Sequence, residues 1–129
     1  MIATKFNAII VVKSGIFGIK DNIIIIRVYK EINYFGFLID IDEETIIKKI
    51  GINELEQKIC DMIFDIYRVS EFDYAFCDNE AEIEFSPDEF KNLKEKIYSI
   101  LVLPINGDKR LELKLIKSNW KIDGYSLRK

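Results

Sequence analysis

A chain of 129 residues that is 49% apolar and 32% charged, with a net charge of −3, has the size of a single globular domain spanning 1–129. It is long enough to bury a core without metal or disulfide staples, and its composition argues against disorder. Histidine is absent, which removes Ser-His-Asp and Cys-His nucleophile systems and imidazole metal sites. No run reaches the ~18 apolar residues of a membrane helix, and Ala8 to Val12 is too short for a signal sequence, so the cytoplasm is the expected compartment.

Residues 5–13 and 22–30 are dense in Ile and Val and predict two antiparallel strands. Ser14, Gly15, Gly18 and Asp21-Asn22 between them mark a turn or a short extra strand. Residues 34–41 predict a third strand. Asp42 then caps a short helix closed by Gly51. The longest helix is expected over 54–67, with Asn53 and Glu56 as a capping box and Leu55, Ile59, Met62, Ile63 and Ile66 as its apolar stripe. Two short strands follow near 72–77 and 81–85. Ser86, Pro87 and Glu89 open a second long helix, whose stripe is Phe90, Leu93, Ile97, Ile100 and Leu101 and whose end is marked by Pro104. Leu111, Leu113 and Leu115 alternate with polar residues as a strand, and a last strand spans 120–127. Strands are grouped rather than alternated with helices, which predicts an α+β fold: a mostly antiparallel sheet against two main helices, in the order βββ(α)α-ββ-α-ββ.

Charge is unevenly distributed along the chain. Residues 1–30 carry five bases against one acid, 31–90 four against seventeen, and 91–129 ten against four. Between Arg68 and Lys91 stand Glu71, Asp73, Asp78, Glu80, Glu82, Glu84, Asp88 and Glu89, with no base among them. In a hairpin over 71–85, Asp73, Glu82 and Glu84 would share the exposed face and Phe72, Tyr74 and Phe76 the other. Like charges on neighbouring strands cost roughly 0.2–1 kcal/mol each. Two accounts stand side by side: a solvated hairpin protected against edge-to-edge aggregation, or a face that repels nucleic acid and membranes and attracts a basic protein. Asp40, Asp42, Glu43 and Glu44 form a second acidic group. Asp40 and Asp42 have the alternation that suits a hard cation in a metal-dependent enzyme, without the spacing of an EF-hand.

Other signatures carry little. Pro87-Asp88 with Glu112-Leu113-Lys114 spells a nuclease pattern. That chemistry needs both parts on adjacent strands sharing Mg²⁺, and Asp88 opens a predicted helix. Gly15 and Gly18 are wrongly spaced for a phosphate loop. Cys60 and Cys77 are expected to be reduced. Tyr34, Phe35, Tyr74, Trp120 and Tyr125 lie near element ends, where aromatics either close the core or anchor a partner. No cofactor is expected.

In size, charge and style the whole chain resembles the small acidic bacterial immunity proteins of contact-dependent inhibition and other polymorphic toxin systems. The carboxylates around Glu71–Glu84 and Asp40–Glu44 carry that resemblance. It implies a non-catalytic protein that neutralises a cognate toxin, commonly a nuclease with a basic groove. The binding residues would be Glu71, Asp73, Tyr74, Asp78, Glu80, Glu82, Glu84, Asp40, Asp42, Glu43 and Glu44, with Glu82 and Glu84 inserted among toxin Lys or Arg groups. A structural or regulatory subunit that assembles through a sheet edge or its aromatics is the alternative.

Overall fold

Among the described residues, two antiparallel sheets and three helices make up the α+β architecture. The computed structural model describes residues 6–14, 22–93, 97–106 and 111–128. The elements are β1 (Phe6–Ser14), β2 (Asn22–Lys30), β3 (Phe35–Asp40), α1 (Glu43–Ile50), α2 (Ile52–Val69), β4 (Ala75–Cys77), α3 (Pro87–Lys91), β5 (Ile100–Asn106) and β6 (Leu111–Lys117). The first sheet has the order β1-β2-β3 and the second β4-β5-β6. The expected connection through Gly15 and Gly18 lies outside the described residues.

Local chemistry sets the first half of the chain. Asp42 caps α1, accepting from the Thr45 amide at 3.3 Å and the Thr45 hydroxyl at 2.7 Å. These bonds, the hydroxyl's first, lower its pKa. Gly51, with φ of 86°, makes the corner between α1 and α2, a conformation that residues with a Cβ rarely adopt. Gly51 is also the N-cap of α2, which has no side-chain cap bond. The expected capping box therefore does not form. Asn53 instead accepts from Lys121 Nζ at 3.0 Å, and Glu56 turns into the core. The buried stripe of α2 is Leu55, Glu56, Ile59, Cys60, Ile63 and Tyr67; Ile66, expected inside, is exposed.

The largest departure from expectation lies at 87–103. The Ser86–Glu89 capping box forms, but α3 ends at Lys91, and the apolar run from Ile100 becomes the central strand of the second sheet. Ile100, Leu101 and Val102 are all buried. A strand covered on both faces reads as a continuous apolar run, which periodicity alone does not separate from a buried helix. Pro104 fits because β4 pairs only with Ile100–Val102. Beyond Val102 that edge of β5 has no neighbour among the described strands and needs no N–H. The expected hairpin partner of β4 is absent: residues 81–85 have no regular structure, and β4 pairs with β5. The expected last strand reduces to one bridge, Trp120 to Leu127.

Alternation along the second sheet builds two cores. Ile100 and Val102, with Ala75, Cys77 and Leu113, pack with Ile46, Leu55, Ile59, Cys60 and Ile63 of α1 and α2. On the opposite face, Leu101, Leu103, Phe76 and Ile116 meet Phe90, Tyr98 and Phe85. Tyr74 stacks on Phe90 at 3.9 Å, and Phe76 on Tyr98 at 4.2 Å. The Tyr74 hydroxyl donates to the Phe85 carbonyl, and burial pushes its pKa up to about 12. The Tyr98 hydroxyl is buried without a hydrogen-bond partner among the described residues. The first sheet lies beyond this layer. Its inner face joins through Tyr29, Leu38 and Ile83, with Tyr34 and Phe76 against them. Gly36 permits the approach, since a Cβ there would stand 2.8 Å from Ile83 Cδ1.

The C-terminal segment is locked by a buried ion pair. Arg128 donates Nη1 to Glu56 Oε1 at 2.5 Å and Nη2 to Glu56 Oε2 at 3.0 Å. Its Nε reaches the Ser118 carbonyl and its Nη2 the Ser99 hydroxyl, both at 2.9 Å. Glu56 also accepts from the Ile122 amide at 2.9 Å. Removing one partner leaves a buried charge uncompensated. Glu56→Ala or Arg128→Ala should therefore each cost about 3–5 kcal/mol in urea unfolding. The double variant should cost much less than the sum of the two.

Within the same segment Asp123 accepts from the Tyr125 and Ser126 amides at 3.0 and 2.8 Å and from the Ser126 hydroxyl at 2.5 Å. Burial opposes its charge, but the bonds from Ser126 and Tyr125 prevail and lower its pKa. A depressed folded-state pKa stabilises above the unfolded value of about 3.9 and is lost as pH falls through the folded one. Asp123→Asn should thus narrow the difference in melting temperature between pH 6 and pH 3 by a few degrees.

Candidate functional site

The carboxylates expected to gather on one hairpin are divided by the fold. Asp78 turns inward: its Oδ2 accepts from the Ser99 amide at 3.0 Å and from Trp120 Nε1 at 2.9 Å. Glu82 and Asp40 converge on Arg27. The guanidinium donates Nη1 and Nη2 to Glu82 at 3.0 and 2.9 Å, and Nε and Nη2 to Asp40 at 2.8 and 3.3 Å. The Glu82 bonds, then those to Asp40, raise the Arg27 pKa. This clamp ties the first sheet to segment 81–85. A basic residue from the N-terminal part of the chain thus neutralises two of the candidate acids.

Several other candidates also have structural roles. Tyr74 is half-buried in the aromatic stack. Asp42 is the α1 cap. Glu44 lies 3.5 Å from Lys48 one turn along α1, with both side chains well exposed. The pKa of half-buried Glu43 is raised by burial, with Asp123 and Asp78 adding to it. Asp40 and Asp42, the pair weighed for a cation, both spend their oxygens on protein donors. Among the described residues no group of three or more Cys, Asp or Glu gathers in a metal-binding arrangement. Asp88 lies in the first turn of α3 and Glu112 on β6, so the nuclease pattern is split between a helix and a strand. Cys60 and Cys77 are free thiols, and burial pushes Cys77 up to about 12, well above the range of a reactive thiolate.

Of the expected acids, Glu71, Asp73, Glu80, Glu82, Glu84, Asp42 and Glu44 are exposed, and Glu71, Asp73, Glu80 and Glu84 are the ones with no hydrogen bond or ion pair to another described residue. Glu80 sits in the turn after β4 with φ of 52°.

A feature that the sequence reading did not assemble lies at the β2–β3 end of the first sheet. The Glu31 amide donates to the Tyr34 carbonyl at 2.8 Å and closes the turn. Residues 31–34 face the start of α3 across a cleft of about 440 Å³, lined by Glu31, Ile32, Asn33, Tyr34, Ser86, Pro87, Asp88 and Glu89. Tyr29 donates to Glu31 at 3.1 Å and approaches the Tyr34 hydroxyl at 3.4 Å. Burial, then the Tyr29 contact, raises the Tyr34 pKa. Beside the cleft, register places Ile26 opposite Ile39, Val28 opposite Phe37 and Lys30 opposite Phe35. Directly opposed residues share a face, and this one points away from the core formed by Tyr29 and Leu38. Of the aromatics noted in the sequence, Tyr34, Tyr74 and Trp120 close the interior, whereas Phe35 and Tyr125 are exposed.

Among the described residues no helix is long and apolar enough to cross a membrane. No curated protein and no solved structure matches the chain. A family model does match, over residues 2–128: immunity protein 64. That match spans nearly the whole sequence, and the chain belongs to the immunity protein 64 family.

Proposed function

We propose that this protein binds and neutralises a cognate toxin domain of a contact-dependent inhibition or related polymorphic toxin system in the bacterial cytoplasm. It acts by occlusion rather than by chemistry. Membership of the immunity protein 64 family is the observation that carries this reading. The toxin class that suits the chain is a basic one, such as a nuclease with a cationic groove. Glu71, Asp73, Glu80 and Glu84 are the carboxylates to present to it, because they are exposed and no internal hydrogen bond among the described residues accounts for them. Charges of this kind act mainly on the rate of encounter. Asp40, Asp78 and Glu82, by contrast, are already spent within the fold.

The reading is tested by mixing the purified chain with the toxin domain encoded beside it in its native genome. The expected outcome is a stoichiometric complex in which toxin activity is abolished; an active toxin in the presence of excess chain rejects the proposal. Glu80→Lys with Glu84→Lys should slow association by about tenfold at low ionic strength and much less in high salt. Equal rates in both conditions would discard the electrostatic part. Glu82→Lys should behave differently, because it replaces one of the two carboxylate partners of Arg27 with a like charge. It should lower stability by up to about 1 kcal/mol, as expected for a half-exposed pair, and this is measurable by denaturant unfolding of the free chain.

A further inference from the structure

Strand β3 presents an apolar row that is largely exposed. Phe35 is 70% exposed, Phe37 58% and Ile39 36%. The two rings hold an edge-to-face arrangement, 6.1 Å apart at 90°. Half-buried Ile26 and Val28 lie beside them in register on β2. Since an aromatic side chain offers ~150–250 Å², these three side chains expose roughly 300 Å². That is the scale at which a contiguous patch on a monomer is often functional. β3 is also an edge of its sheet. Edge strands are ordinarily protected by charge or proline, yet the outer row of β3 carries neither.

The acid-lined cleft begins where this row ends, because Glu31 to Tyr34 lead directly into Phe35. Three carboxylates line it: Asp88, Glu31, which also accepts from the Tyr29 hydroxyl, and Glu89, which also accepts from the Ser86 amide. The one base set in register beside the row on β2 is Lys30. A second copy of the chain would bring the same excess of carboxylate to the interface. A partner with apolar side chains followed by Lys or Arg complements both parts, with an apolar centre and a charged rim.

We propose that the outer face of β3 and the adjoining cleft form the docking surface for the cognate toxin domain, with Phe35 and Phe37 as its anchors and the cleft as the seat for a toxin cation. This rests on the immunity reading above and locates its contact surface. The acids of residues 71–84 then act in steering, and β3 holds the complex.

The test titrates the purified native chain and a Phe35→Ser, Phe37→Ser variant with the purified toxin domain from the adjacent gene, by calorimetry. Circular dichroism and thermal melting check the fold of the variant. Hydrogen exchange on the native complex supplies a readout that needs no variant. The expected results are an affinity loss of at least about 100-fold in a folded variant and slowed exchange of the β3 amides on binding. Unchanged affinity, or no added protection on β3, overturns this surface while leaving the immunity function intact. Failure of the native chain to bind the toxin overturns both. Sedimentation showing a native dimer that Phe37→Arg dissociates, with toxin binding retained, reassigns the face to a second copy and overturns the proposal.

Discussion

Strand β5 buries both of its faces, and the rest of the molecule is arranged around that fact. Ile100 and Val102 look toward α1 and α2, and Leu101 and Leu103 toward the aromatic layer of Tyr74, Phe76, Phe90 and Tyr98. A three-stranded sheet with apolar side chains on both sides needs a cover on each. Two helices supply one. The other is supplied by Ala81, Phe85, Phe90 of α3 and Tyr98 and, beyond them, the first sheet through Ile83. The first sheet lies outside this layer, and its far side leaves Phe35, Phe37 and Ile39 of β3 exposed while Ile24 of β2, on the same face, is buried.

Polar groups then fasten what apolar burial arranges. The bidentate Glu56–Arg128 pair draws the segment after β6 back across the start of β5, where Ser99 and Ser118 supply further bonds. Asp78 bridges the same region through Ser99 and Trp120. Arg27, gripped by Asp40 and Glu82, performs the equivalent task between the first sheet and segment 81–85. Carboxylates close in sequence thus meet different fates, because a buried donor satisfied by a carboxylate avoids a desolvation cost larger than the modest gain of a surface pair. Glu82 is engaged while its neighbours Glu80 and Glu84 point to solvent.

This division bears on immunity function. An inhibitor must remain folded in isolation and still offer a surface that prefers a partner to water. Exposed acids accelerate encounter without stabilising the free chain, whereas an ordered apolar row contributes binding energy only once covered. In the proposed arrangement, placing the two on different residues would let rate and residence time be tuned independently.

Much of the fold was legible locally. Dense Ile and Val over 22–30, the Asp42 cap, the Gly51 corner and the Ser86–Glu89 capping box depend on residues within a few positions of one another, and each is realised. The resemblance to acidic immunity proteins rested on size and charge, and the family match bears it out. Long-range partners decided the rest. The run from Ile97 to Ile105 satisfies a helix or a doubly covered strand equally well until β4 and β6 flank it. Asn53 and Glu56 spell a capping box, but Arg128 and Ile122, more than sixty residues away, offer Glu56 a buried pair instead. The acid-rich stretch alone determined that carboxylates would be plentiful. Which of them face solvent was decided in three dimensions, because Arg27, Ser99 and Trp120 become neighbours of Asp40, Asp78 and Glu82 only when the layers close.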